Sequence, residues 1–209
     1  VVIELSDGIC PTTDNCAKEY IESLREARVT QTAEKRFWSY AHPLETIVRS
    51  EKKRRPDFLQ VQSGDGFQLS YFAFYPHKVV REQKLTIPVT QQSYEQEIMD
   101  ARSIAFLHNE VLMNFFLRLG TLGIHGITPR NYLIITSEKA TAYANPAPFG
   151  VRHNNQEFVR HKILDVLGTL ALTGHQFRNT YFYFHMTGHE FDLYALKTLF
   201  KQHCFKEIS

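Results

Sequence analysis

The 209-residue sequence is poor in cysteine, methionine and tryptophan, with three, three and one of each. Cys10, Cys16 and Cys204 are too few for a disulfide framework, and none is spaced as a Cys-x-x-Cys metal knuckle. Free thiols in a reducing compartment are the simplest reading. Charge of one sign is scarce as well. The 24 Lys and Arg against 22 Asp and Glu leave a formal net charge of +2, which argues against a general polyanion or nucleic-acid binder. No apolar run approaches the ~20 residues that span a bilayer. The opening Val1-Val2-Ile3-Glu4-Leu5 does not read as a signal peptide. Repeats and low-complexity tracts are missing too.

What remains is ordinary globular composition, 43% hydrophobic and 22% charged, with ample material for a core. Helix-favouring residues at helical spacing predict a helix over Asn15–Arg28. Strands follow at Thr46-Ile47-Val48, Phe58–Val61, Phe67–Phe74 and Lys84–Thr90, and Gly64-Asp65-Gly66 makes a turn between two of them. The basic run Lys52–Arg55, followed by Pro56, reads as a solvated hairpin tip rather than a nucleic-acid patch. A short helix is expected after Thr90, with Ser93 as its cap and Glu95 to Met99 in its body.

Further along, Ile104–Leu107, a helix over Asn109–Leu119 and a strand over Leu122–Ile127 read as a strand–helix–strand unit. Tyr132–Ile135 is a buried strand. A helix over Gln156–Leu172, a strand over Tyr181–His185 and a last helix over Glu190–Gln202 complete the chain. Strands and helices in this mixed order predict an α+β fold, a mainly antiparallel sheet packed on helices with a strand–helix–strand insert.

The stretch with chemical content is Glu157-Phe158-Val159-Arg160-His161-Lys162-Ile163-Leu164-Asp165. His161 and Asp165 are four apart on a helix and therefore share a face. An imidazole nitrogen and a carboxylate oxygen so stacked suit one small divalent ion. The same spacing arises often by chance and usually marks a surface ion pair, so the motif by itself points to a metal only weakly. Thr187-Gly188-His189, at the end of the following strand, brings a third polar side chain toward the same end of the sheet.

These residues resemble the UDP-3-O-acyl-N-acetylglucosamine deacetylases of lipid A biosynthesis. The resemblance rests on the Phe158–Asp165 block, Gly174-His175, and Thr187-Gly188-His189. Asp7-Gly8, Gly66-Phe67, Tyr75-Pro76-His77 and Ala101-Arg102 extend it upstream. It implies that His161 and Asp165 are two of three protein ligands of a catalytic zinc ion. Lys162 and Gly188 would then meet a UDP-linked acylated glucosamine, and His189 would act as general acid in zinc-dependent hydrolysis of the N-acetyl group. It also implies a cytoplasmic location, and an apolar acyl passage in the insert, about residues 104–127, with Phe106, Leu107, Phe115, Phe116 and Leu119. Residues 1–43 are expected to be the tail of a truncated N-terminal domain and a linker, and 44–209 the C-terminal domain. The missing N-terminal domain would pack on this chain.

Three departures from the family pattern carry expectations. The Glu-His pair that supplies the family's base and third ligand has no counterpart in these residues. Thr169 stands where the family has an aspartate that orients the acid histidine. His125-Gly126 replaces a Gly-Gly in the insert. A non-catalytic relative that binds a sugar-nucleotide or lipid is the alternative.

Overall fold

The computed structural model describes residues 13–28, 35–50, 57–106, 128–137 and 139–208. They form an α+β fold whose strand pairings are mostly antiparallel. The chain divides into two compact units, and each is taken by itself.

The first unit draws on Val1–Thr32, His77–Val79 and Met99–Phe158. It holds helix α1 (Lys18–Glu26), and strands β6 (Ser103–Phe106) and β7 (Tyr132–Ile135), which pair in parallel. Parallel neighbours require a long crossover, and the expected insert helix and the strand at Leu122–Ile127 lie outside the described residues. Arg102 organises the unit. Its guanidinium binds Glu157 at 2.7 and 3.0 Å and donates to the carbonyls of Pro129, Phe149 and Gly150, with both charged side chains fully buried. Two charges taken out of water are tolerated only when paired and hydrogen-bonded in this way.

The second unit draws on Ala33–Pro76, Val80–Ile98 and Val159–Ser209. Its main sheet has five strands in the order β2 (Thr46–Arg49), β3 (Phe58–Ser63), β9 (Thr180–His185), β4 (Phe67–Phe74) and β5 (Glu82–Pro88). Strands β1 (Phe37–Tyr40), β8 (Gln176–Phe177) and β10 (Phe205–Ile208) make a small second sheet. β9 alternates strictly between buried and half-buried positions. Phe182 and Phe184 therefore face the core and Tyr181, Tyr183 and His185 the other side. Each fully buried Phe contributes roughly 1.5–3 kcal/mol. On the other side a row of side chains crosses the sheet, with Arg49 over Phe58 and His185 stacked between Phe58 and Phe72 at 4.7 Å from each.

Two helices carry the candidate residues. In α3 (Glu157–Ala171), Val159, Ile163, Val166 and Leu170 are buried, a repeat of three to four residues that points one stripe inward. In α4 (His189–Lys201) the buried stripe is Phe191, Asp192, Ala195, Leu196 and Leu199.

The short helix after β5 differs from expectation. Helix α2 (Gln91–Ser93) is capped by Thr90, whose side chain accepts from the Ser93 amide while Ser93 Oγ accepts from the Thr90 amide. Ser93 is thus the reciprocal partner of a capping box and not the cap, because the chain turns helical three residues earlier. A wider π-type turn, Tyr94–Ile98, continues it.

Candidate active site

Asp165 is the hub of the site. It lies two turns into α3, half-way along a helix started by the buried acid Glu157. His161, one turn earlier, places Nε2 3.3 Å from Asp165 Oδ1. Lys162, three residues earlier, places its ammonium 2.8 Å from Oδ2. His189 comes from the first residue of α4 and sets Nε2 3.8 Å from the same Oδ2. Three basic side chains from two helices thus converge on one carboxylate.

Exposure grades across the cluster. The side chains of His161 and Asp165 are 11% and 15% exposed, Lys162 is 22%, and His189 is 68%. The paired donors sit deep, and His189 stands at the solvent side. Gly188 caps α4 in an extended conformation, φ −154, and accepts the Asp192 amide at its carbonyl. That conformation is open to any residue. A Cβ there would meet no atom within 4 Å, so nothing in the surrounding chain requires glycine at this position.

The turn before His189 is pinned from the sheet. Tyr71, 2% exposed on β4, donates its hydroxyl to the Thr187 carbonyl at 2.6 Å, and burial pushes its phenol well above the ordinary range. Asp192, one turn into α4, is 1% exposed. Burial raises its carboxyl to about 6, opposed by the positive charges of Lys162 and His189, with Asp165 adding to the rise. Asp192 Oδ1 and Thr187 Oγ1 are both buried without a hydrogen-bond partner. Neither Tyr71 nor Asp192 stood out in the sequence. The available signal for Asp192 was an acid inside the apolar stripe of the last helix.

The donor chemistry fits zinc. Two ligands, each ~2.0–2.1 Å from a tetrahedral ion, are separated by about 3.3–3.4 Å, which is the spacing of His161 Nε2 and Asp165 Oδ1. The number of donors is short. Among the described residues no group of three His, Cys, Asp or Glu side chains is placed to hold a metal, whereas catalytic zinc sites use three protein ligands.

His175 and His185 are engaged in aromatic stacks. His175 lies 4.2 Å from Trp38, ring to ring, and His185 lies between Phe58 and Phe72. Thr169 turns its hydroxyl to the Asp165 carbonyl of its own helix at 3.1 Å. A groove of about 660 Å³, floored by Phe67, Leu167, Leu170 and Phe177, includes none of the residues around Asp165. Phe106, from the expected acyl passage, ends β6, and Leu107, Phe115, Phe116 and Leu119 lie outside the described residues. No helix among the described residues is long and apolar enough to cross a membrane.

Comparison with known proteins sets this geometry in a family. Residues 1–201 match the family described as LpxC, UDP-3-O-acyl N-acetylglycosamine deacetylase. The UDP-3-O-acyl-N-acetylglucosamine deacetylase of Thermodesulfovibrio yellowstonii is 27% identical over 209 residues, 99% of this chain and 64% of the relative. Its counterpart in Acidithiobacillus ferrooxidans is 29% identical over 201 residues, 94% of this chain and 60% of the relative. That of Neisseria meningitidis serogroup C is 32% identical over 177 residues, 83% of this chain and 52% of the relative. The chain thus spans between about half and two thirds of the length of these relatives. It belongs to the UDP-3-O-acyl N-acetylglycosamine deacetylase family.

Proposed function

We propose that this chain contributes part of the active site of a zinc-dependent deacetylase that removes the N-acetyl group from a UDP-3-O-acyl-N-acetylglucosamine in lipid A biosynthesis. The observation that carries the reading is the His161–Asp165 pair, an imidazole and a carboxylate spaced as two ligands of one ion. Family membership over residues 1–201 supports it.

His161 and Asp165 would hold the ion, which when bound supplies Lewis-acid polarisation of the acetamide carbonyl. His189, the most exposed member of the cluster, faces incoming substrate and donates the proton that lets the amine leave. Lys162 presents a compact positive charge, suited to a phosphate of the sugar-nucleotide. We also place Gly188 against the substrate, on the family resemblance of Thr187-Gly188-His189. A base must take a proton from the attacking water, and we assign it, with the third ligand, to residues other than these. Exposed Leu193 and Tyr194 on α4 support packing of a further domain.

The test is acetate release from the acylated UDP-sugar. The 209-residue chain by itself is expected to release none, and robust turnover by it overturns the assignment of the base. In a protein that does turn over, His189→Ala is expected to lower kcat by ~10²–10⁴.

One observation favours the second reading, a binding protein that has retired from catalysis. Thr169 is neutral and its hydroxyl is spent on its own helix, so it lends no charge to His189. Thr169→Asp separates the two. A rise in kcat/KM marks a weakened enzyme, and substrate binding without turnover in either form marks a binding protein.

A further inference from the structure

The groove floored by Phe67, Leu167, Leu170 and Phe177 lies at the end of the main sheet away from His189. Strand β9 starts at Thr180, next to Asn179 on the groove wall, and runs toward the turn that carries His189. Its six residues span roughly 20 Å at ~3.3 Å each. All the residues that line the groove belong to the second unit, and none belongs to the expected acyl passage. Its volume of about 660 Å³ is in the range of small-molecule sites, ~300–1,000 Å³.

Floor and rim differ in chemistry. Leu170 and Phe177 are buried, and Phe67, Val89 and Leu167 are half-buried, so an apolar surface faces the opening. The rim holds two exposed cations, Lys35 and Arg178, and no aspartate or glutamate is among the described residues that line the groove. Neither cation is paired with an acid among the described residues. Cζ of Arg178 stands 3.4 Å from the centre of the Phe37 ring, two residues after Lys35. One face of the guanidinium is thereby used, which leaves the N–H donors along its edge for a planar oxyanion. A neutral ligand would leave both cations without a counter-charge, and a small inorganic anion would leave the apolar floor wet. An alkyl chain ending in an anion satisfies both.

We propose that this groove is a binding site for a long-chain fatty carboxylate, with its chain on the Phe67–Leu170 floor and its head at Lys35 and Arg178. The site is separate from the residues around Asp165 and does not depend on the zinc reading. Because both cations are exposed, they select for the charged head, and most of the affinity comes from the chain. Trp38, the sole tryptophan, stacks on His175 of the groove wall at 4.2 Å, so its emission reports occupancy.

The test is calorimetric titration of the purified protein with octanoate, decanoate and dodecanoate below their micellar concentrations, with Trp38 emission followed in parallel. Affinity is expected to rise about two- to fourfold for each added methylene, roughly fourfold being the value for complete burial. Dodecanoate is expected to bind about tenfold more tightly than dodecanol. In the Lys35→Gln/Arg178→Gln protein that preference is expected to vanish, while the circular dichroism spectrum, set by residues other than these two exposed ones, stays unchanged. Absence of binding overturns the inference, as does equal affinity for dodecanol and dodecanoate in the wild-type protein. A preference for dodecanoate that survives in the double variant places the ligand elsewhere and overturns it too. Dodecyl phosphate bound more than about tenfold more tightly than dodecanoate overturns the choice of a carboxylate head. The chain-length series needs no variant, so it decides the matter even if the double variant fails to fold.

Discussion

Nε2 of His161 lies 3.3 Å from Oδ1 of Asp165, one helical turn further on, with both side chains more than four-fifths buried. A surface ion pair at the same spacing would contribute little and would be screened by salt. Here the pair sits under Lys162 and His189, so one carboxylate answers to three bases. The predictions below follow from that crowding and from the buried groups that support it.

Tyr71→Phe removes the hydroxyl that fastens the Thr187 carbonyl, one residue before Gly188 and two before His189. A buried carbonyl left without its donor costs about 1–3 kcal/mol. The urea midpoint is expected to fall accordingly. Because the turn carries His189, a catalytically competent protein is also expected to lose kcat more than it gains in KM.

Asp192 makes stability depend on pH in an identifiable direction. Its folded carboxyl titrates at about 6, above the ~3.9 of an unfolded aspartate. The folded state therefore binds the extra proton between about pH 4 and 6. The stability this group contributes is complete below pH 4 and is lost as pH rises through 6. Asp192→Asn is expected to remove that loss, gaining up to about 3 kcal/mol on wild type at pH 7.5 and little at pH 4. Urea unfolding of both proteins at the two pH values measures it. A gain of equal size at both pH values would contradict the assignment.

The fully buried Arg102–Glu157 pair makes the opposite kind of prediction. Glu157→Gln leaves the guanidinium without its counter-charge, at an expected cost of about 3–5 kcal/mol. Replacing both partners with apolar residues of similar volume is expected to cost much less than that. Chemical denaturation of the single and double variants decides the matter.

Much of the fold was legible because apolar periodicity and turn residues agreed. The expected helix over Gln156–Leu172 is observed as Glu157–Ala171, the strand over Tyr181–His185 as Thr180–His185, and the last helix as His189–Lys201. Short strands whose partners lie far along the chain were not legible. β1 has four residues and pairs Phe37 with Ile208, a relation no local pattern carries. The Thr90 cap is hidden in the sequence because Ser93, also a capping residue type, stands nearer the acidic run.

The site divides the same way. Helical spacing brings His161 and Lys162 onto Asp165, and that much can be read from residue numbers. The approach of His189 depends on where β9 ends and α4 begins, which is a tertiary fact. Zinc rests on the resemblance, since helical spacing alone more often marks an ion pair. Tyr71 and Asp192 needed burial to be seen, because a tyrosine on a strand and an acid on a helix look unremarkable in sequence.

Zinc titration of the purified chain beside His161→Ala and His185→Ala tests the central claim most directly. The account predicts weak binding, below that of a three-ligand site, that is abolished by His161→Ala and untouched by His185→Ala. Zinc bound as well by His161→Ala as by the wild-type chain would contradict it.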